Sequence, residues 1–207
     1  LHEEQAGTNP YDANSTPGLD FGLVAHWTFD ETNGSVLHDA SGNDVNGTLN
    51  GFPLVSNAHW QPGRIAGSLR LDGLNDHIAF PGATVLDDLN PFSFSGWIKP
   101  EAGNDGYLVA KRSELTGFWR LSTTPSALSW VRDFSGSEST GYTATTPQLV
   151  EQWRHLAFTW NGEATGEHTA LYIDGVKFPN PTRTNGTGSM LSDSGNLFTI
   201  GNRPQNN

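Results

Sequence analysis

The chain has 207 residues, with 24 Gly, 12 Pro, a formal net charge of −11 and a pI near 4.8. That balance offers no basic patch to release counterions from a phosphate backbone, which excludes nucleic acid as a partner; it is compatible with divalent cations or neutral glycans. No cysteine is present, so disulfides and thiolate metal sites are excluded, and no apolar run is long enough to cross a bilayer, so no membrane insertion is expected.

Residues 1–20 are polar, hold Pro10 and Pro17, and read as a leader or linker. Leu23–Phe29 alternates, with Leu23, Ala25, Trp27 and Phe29 on one face; this predicts a core strand in need of partners along both edges. Val36–His38 is a short strand before the Asx- and Gly-rich stretch Asp39–Gly47. Ser68–Leu71 and His77–Phe80 predict a hairpin around Asp72–Asp76, and Phe92–Ile98 a core strand stopped by Lys99-Pro100. Tyr107–Lys111, Phe118–Ser122, Ala127–Arg132 and Tyr142–Thr145 are shorter strands at sandwich spacing.

The central stretch is Gln152–Phe178. Trp153–Trp160 sets Leu156, Phe158 and Trp160 on one side, with Arg154 sharing their parity and His155, Ala157 and Thr159 opposite. Ala170–Asp174 follows a Gly-containing loop, and Asp174-Gly175 suits a tight turn at positive φ, so the chain returns at Val176 as a small meander. Leu197–Gly201 is the last strand before the polar run Asn202–Asn207. No stretch keeps a helical period and none repeats, so residues 21–207 read as one all-β domain.

The pattern of Trp153, His155 and an alternating strand ending in Trp160, then Asn161-Gly162 and a Leu-Tyr-Ile-Asp-Gly strand at 171–175, resembles the laminin-G-like domains of the concanavalin A-like lectin/glucanase superfamily. HWTFDE at 26–31, DASGNDVNGTL at 39–49, SLRLDGLNDHIAF at 68–80 and FSFSGWIKPE at 92–101 extend the resemblance over Phe21–Gly201. It implies an antiparallel two-sheet sandwich of jelly-roll type, in a family made up mostly of binding modules. Such domains usually continue with a further strand, so residues beyond Asn207 are expected to supply one beside Leu23–Phe29. Animal members usually contain cysteine; its absence leans towards a bacterial protein that is secreted, periplasmic or on the cell surface.

Calcium takes six to eight oxygen ligands, and a Gly-rich loop lets several converge. Matched to the family's calcium loop, Asp30, Asp39, Asn43 and Asn46 would hold one Ca²⁺ structurally; the alternative is an Asx-rich double turn that needs no metal. Asp72–Asp76 is a weaker metal candidate. Glycan hydrolases of this fold place paired carboxylates on one strand, and no such run occurs here. Arg112-Ser113-Glu114-Leu115 matches the opening motif of alginate-lyase relatives, but the runs that complete that site are missing. Sugar stacking needs exposed aromatics beside polar side chains, and the candidates are Tyr107, Trp119, Arg120, Trp130, Arg132 and Tyr142. Trp27, Trp97, Trp153 and Trp160 read as core. The expected function is a non-catalytic recognition module for polysaccharide, part of a larger protein. The alternatives are a protein-interaction or structural domain of a surface protein and, third, a glycan lyase or hydrolase.

Overall fold

The computed structural model describes residues 22–53, 57–101, 106–112, 117–124, 127–145, 151–165, 167, 169–179 and 182–201, with strand and register alone for 137–145. The expected leader, the Asn202–Asn207 run and the Ser113–Leu115 part of the lyase-like motif lie outside these residues. The strands in chain order are β1 (Val36–Leu37), β2 (Gly47–Asn50), β3 (Trp60–Pro62), β4 (Gly67–Leu69), β5 (His77–Phe80), β6 (Phe92–Ile98), β7 (Gly106–Arg112) and β8 (Trp119–Thr124). They continue with β9 (Ala127–Phe134), β10 (Ser137–Thr145), β11 (Arg154–Trp160), β12 (Ala170–Ile173), β13 (Val176–Lys177), β14 (Thr182–Thr184) and β15 (Leu197–Gly201). A 3₁₀ turn spans Thr84–Leu86.

The expected two-sheet antiparallel sandwich is what forms. A nine-stranded sheet in the order β1-β2-β5-β15-β7-β8-β9-β10-β14 faces a four-stranded sheet, β13-β12-β11-β6, and β3-β4 makes a separate ribbon. Period-2 alternation decides which side chains meet between the sheets. Leu156, Phe158 and Trp160 of β11 and the even-numbered positions of β6 point inward, against Trp119, Leu121, Leu128 and Trp130 of β8 and β9. The Trp130 and Phe158 rings lie 4.4 Å apart, and Phe92 packs on Trp119 at 5.0 Å and edge-on to Trp160 at 5.8 Å. Aromatic pairs at such separations contribute about 0.5–1.5 kcal/mol each beyond their buried area. The turn after β12 has φ of 51° at Asp174 and 79° at Gly175, the backbone that the Asp-Gly pair predicts.

Three expectations are corrected. Leu23–Phe29 is no sheet strand: it bridges at Trp27 to Asp39, and Phe29 turns at φ 58°. Its backbone groups are engaged instead by the loop beside it, where Asn43 Nδ2 donates to the Leu23 and Val24 carbonyls and Ala40 N to His26 O. Trp27 nonetheless packs on the core, 4.6 Å from the Phe80 ring, with Nε1 donating to Val45 O. Ser68–Leu71 and His77–Phe80 do not form a hairpin, because β5 has β2 on one edge and β15 on the other, and β4 pairs back onto β3. Trp97, expected in the core, is 39% exposed: it stands at the odd positions of β6, which face away from the opposite sheet.

Candidate functional site

In the 39–46 loop, Asp39 Oδ1 accepts from the backbone N–H groups of His26 and Ser41, both at 2.9 Å. Its Oδ2 accepts from Ser41 Oγ at 2.7 Å and from Val45 N at 3.0 Å. A carboxylate offers about four lone-pair positions, so the side chain is fully used. Burial pushes the Asp39 carboxyl up, but these bonds, led by His26 N–H, outweigh it and lower it to about 2. Asn46 Oδ1 accepts from Asp39 N, Asn43 turns its amide N–H₂ to two carbonyls, and Asp30 Oδ1 is held by Gly67 N. Asp39 and Asn46 thus use their side-chain oxygens on N–H and O–H donors, as an Asx-rich turn does, while one oxygen of Asp30 and that of Asn43 have no donor among the described residues. Among the described residues no three His, Asp or Glu side chains converge as a metal site. Asp72–Asp76 is similar: Asp72 Oδ1 accepts from Leu74 N, Asn75 N and Asp76 N.

Trp119, Trp130 and Arg132 leave the list of sugar-contacting candidates. Trp119 and Trp130 are 3% and 1% exposed, each with its ring enclosed by core aromatics. Arg132, 0% exposed, pairs through Nη1 with Asp193 Oδ2 and donates through Nη2 to Leu191 O at 2.9 Å. Lys111, also buried, donates to Leu86 O at 3.0 Å and to Asp193 Oδ1 at 2.8 Å, and pairs with Asp87. Asp193 and Asp88 exchange backbone N–H bonds with each other's carboxylates, both at 2.8 Å. These charges tie the 86–88 and 191–194 segments to β7 and β9, with Lys111, Arg132 and Asp193 buried. Tyr142 stands opposite Trp130 in β10, and its side chain lies outside the described residues.

Tyr107 and Arg120 do come together, on the face of the nine-stranded sheet turned away from the core. Phe118 and Arg120 alternate with the buried Trp119 and Leu121, and Arg112 with the buried Lys111. By parity Tyr107 belongs with Val109 and Lys111, inside. A β-bulge between Tyr107 and Val109 sets Tyr107 opposite Ser122, a position of the outward face, and so re-aims it. The Arg112 guanidinium lies 4.8 Å from the Phe118 ring centre and 5.9 Å from that of Tyr107; Arg120 lies 5.6 Å and 5.4 Å from the same two rings. Arg112 Nη1 donates to Tyr107 Oη at 2.7 Å, while the Nε atoms of both arginines are enclosed with no hydrogen-bond partner among the described residues, as are those of Arg132 and Arg154. Alternation alone could have placed Phe118 and Arg112 here; nothing local announced the bulge. The outward face of the other sheet carries a smaller group, in which Arg64 lies 5.3 Å over Trp97 and His155 meets that ring edge-on.

Among the solved structures that share the fold are the following three. Domain 4 of an extracellular arabinanase from Geobacillus stearothermophilus, solved with arabinotriose, aligns at TM-score 0.58 and 20% identity over 88% of this chain and 84% of its own. The binding domain of Paraclostridial Mosquitocidal Protein 1 aligns at TM-score 0.54 and 19% identity over 82% of this chain and 47% of its own. A structure of botulinum neurotoxin type C aligns at TM-score 0.52 and 15% identity over 86% of this chain and 42% of its own. The chain thus spans less than half the length of the last two. No curated protein matches it by sequence. The laminin G profile of the concanavalin A-like lectin/glucanases superfamily matches residues 72–207, and the chain belongs to that family.

Proposed function

We propose that this chain is a non-catalytic carbohydrate-recognition module, exported as part of a larger protein, that binds through Tyr107, Arg112, Phe118 and Arg120 on the outward face of the nine-stranded sheet. The observation that carries the reading is the convergence of two guanidinium groups on the same two aromatic rings, on a sheet face turned away from the core. Guanidinium groups set beside aromatic rings combine the polar donors and apolar surface that sugar recognition uses. The arabinanase domain solved with arabinotriose, and the neurotoxin whose cell entry depends on two ganglioside molecules, support sugar as the ligand. Glycoside hydrolysis is not part of the reading: it typically uses two carboxyl groups about 5–10 Å apart across the scissile bond, and among the described residues no carboxylate pairs with this cluster.

A glycan array followed by titration tests this. Wild type should give a selective signal, which Tyr107→Ala or Arg120→Gln weakens at least roughly tenfold, a loss of about 1.4 kcal/mol, with the melting temperature unchanged. Silence on every glycan would refute the reading and favour a protein partner. Exposed Trp97 beneath Arg64 is where that second reading would begin.

A further inference from the structure

We infer that the ligand of this face is an anionic glycan, its carboxylate or sulfate held jointly by Arg112 and Arg120; the inference rests on the site proposed above. Two guanidinium groups share the same two rings, each within 6 Å of both ring centres. Like charges so placed repel, and the ordinary remedy is a carboxylate between them. Elsewhere the chain applies it at Asp193, which lies between Lys111 and Arg132, and Arg70 and Arg154 each have a carboxylate of their own, Glu101 and Asp174. Neither Arg112 nor Arg120 has an acidic partner among the described residues, in a sequence with 22 acidic residues to 11 basic ones. The Arg120 guanidinium makes no hydrogen bond with a described residue, and Arg112 makes its one with the Tyr107 hydroxyl.

The rings decide between a neutral and a charged sugar. A neutral pyranose binds chiefly by stacking on an open aromatic face, whereas here Tyr107 and Phe118 each already lie beside two guanidinium groups. The rings therefore serve to position the arginines, as guanidinium planes pack readily on aromatic faces. Positioned guanidinium groups recognise carboxylate or sulfate oxygens through parallel N–H···O bonds, which are roughly twice as strong as neutral ones.

Titration calorimetry with matched probes tests this: oligogalacturonate against its methyl ester for carboxylate, and dextran sulfate against dextran for sulfate. The expected result is binding to one charged member of a pair, at least about tenfold tighter than to its neutral counterpart, and weakened by raising salt from about 0.05 to 0.5 M. Arg112→Gln and Arg120→Gln should each lower that affinity about tenfold, with thermal melts confirming that both variants fold. Binding to oligogalacturonate assigns the charge to a carboxylate, and binding to dextran sulfate alone assigns it to a sulfate. Charged and neutral members binding equally, with Tyr107→Ala still abolishing both, would overturn the inference and leave the site reading standing. Undiminished affinity of folded Arg112→Gln and Arg120→Gln for the charged probe overturns it as well. No binding to these probes or to any arrayed glycan overturns both.

Discussion

Replacing Asp193 with asparagine tests the buried charges that hold one end of the sandwich. The carboxylate is 0% exposed and receives Lys111 Nζ, Arg132 Nη1 and Asp88 N. Asparagine keeps the shape and removes the charge. Lys111 retains Asp87, but Arg132 is left with Leu191 O as its hydrogen-bond partner, at zero exposure. An uncompensated buried charge of this kind costs about 3–5 kcal/mol. For a domain of this size that lowers the melting temperature by about 6–20 °C, at about 2–4 °C per kcal/mol. Urea unfolding followed by tryptophan fluorescence measures it, since Trp119 and Trp130 sit beside the cluster. The triple replacement Lys111→Met, Arg132→Met, Asp193→Leu gives the contrast. Apolar substitution of a whole buried ion network is often favourable by about 1–4 kcal/mol. Here it also sacrifices bonds to Leu86 O, Leu191 O and Asp88 N, at about 1 kcal/mol apiece, so the triple variant should fall near wild type. If Asp193→Asn came within about 0.5 kcal/mol of wild type, or if the triple variant were the least stable of the set, this account of the cluster would be wrong.

Asp39→Asn should cost about 2–3 kcal/mol, because an amide group cannot accept all four of the donors that the carboxylate accepts. The folded carboxyl lies near 2, below the unfolded value. Its contribution is therefore complete above the unfolded pKa and fades as pH falls through the folded one. Wild type should lose about 1–2 kcal/mol from this group between about pH 5 and pH 2, after allowance for solvent screening. The variant should not show that loss, and parallel stability-against-pH curves would reject the assignment. Chelator should leave the wild-type melting temperature unchanged, whereas a fall restored by added calcium would establish a metal site. Gly117→Ala combines positive φ, at 81°, with a Cβ driven into the Ser192 carbonyl, and should destabilise by about 2–4 kcal/mol in the same urea assay.

What the sequence revealed and what it hid follow from how far each determinant lies along the chain. β6, β11 and β15 match their expected spans nearly residue for residue: β6 and β11 declare a buried face by alternation within their own seven residues, and β15 is a short run bounded by Asn196 and Asn202. The β12–β13 turn is declared by two adjacent residues. Arg132 shows the limit. It shares parity with Leu128 and Trp130, which correctly assigns it to the inner face. Its charge argued for solvent only because its partner, Asp193, lies 61 residues away with no local mark. The 39–47 stretch was legible as chemistry but not as outcome. Oxygen-rich turns that bind calcium and those that satisfy backbone N–H groups have the same composition. Only the directions of the donors tell them apart.

The outward cluster adds a point about charge. A net charge of −11 invites the reading that an anion would be repelled. Yet at physiological ionic strength the field of a surface charge decays over about 8 Å, so a ligand responds to the side chains within reach and not to the sum over the chain. Within that distance of Tyr107 lie two cations held against rings. They reach it through one inserted residue: without the β-bulge at Leu108, Tyr107 would keep the parity of Val109 and Lys111 and face the core. Neither ring-bound arginine would then have Tyr107 to pack against, and Arg112 would lose the hydroxyl that now accepts its N–H. The bulge is thus the structural feature on which the proposed specificity depends, and Arg112 and Arg120 are the groups through which it acts.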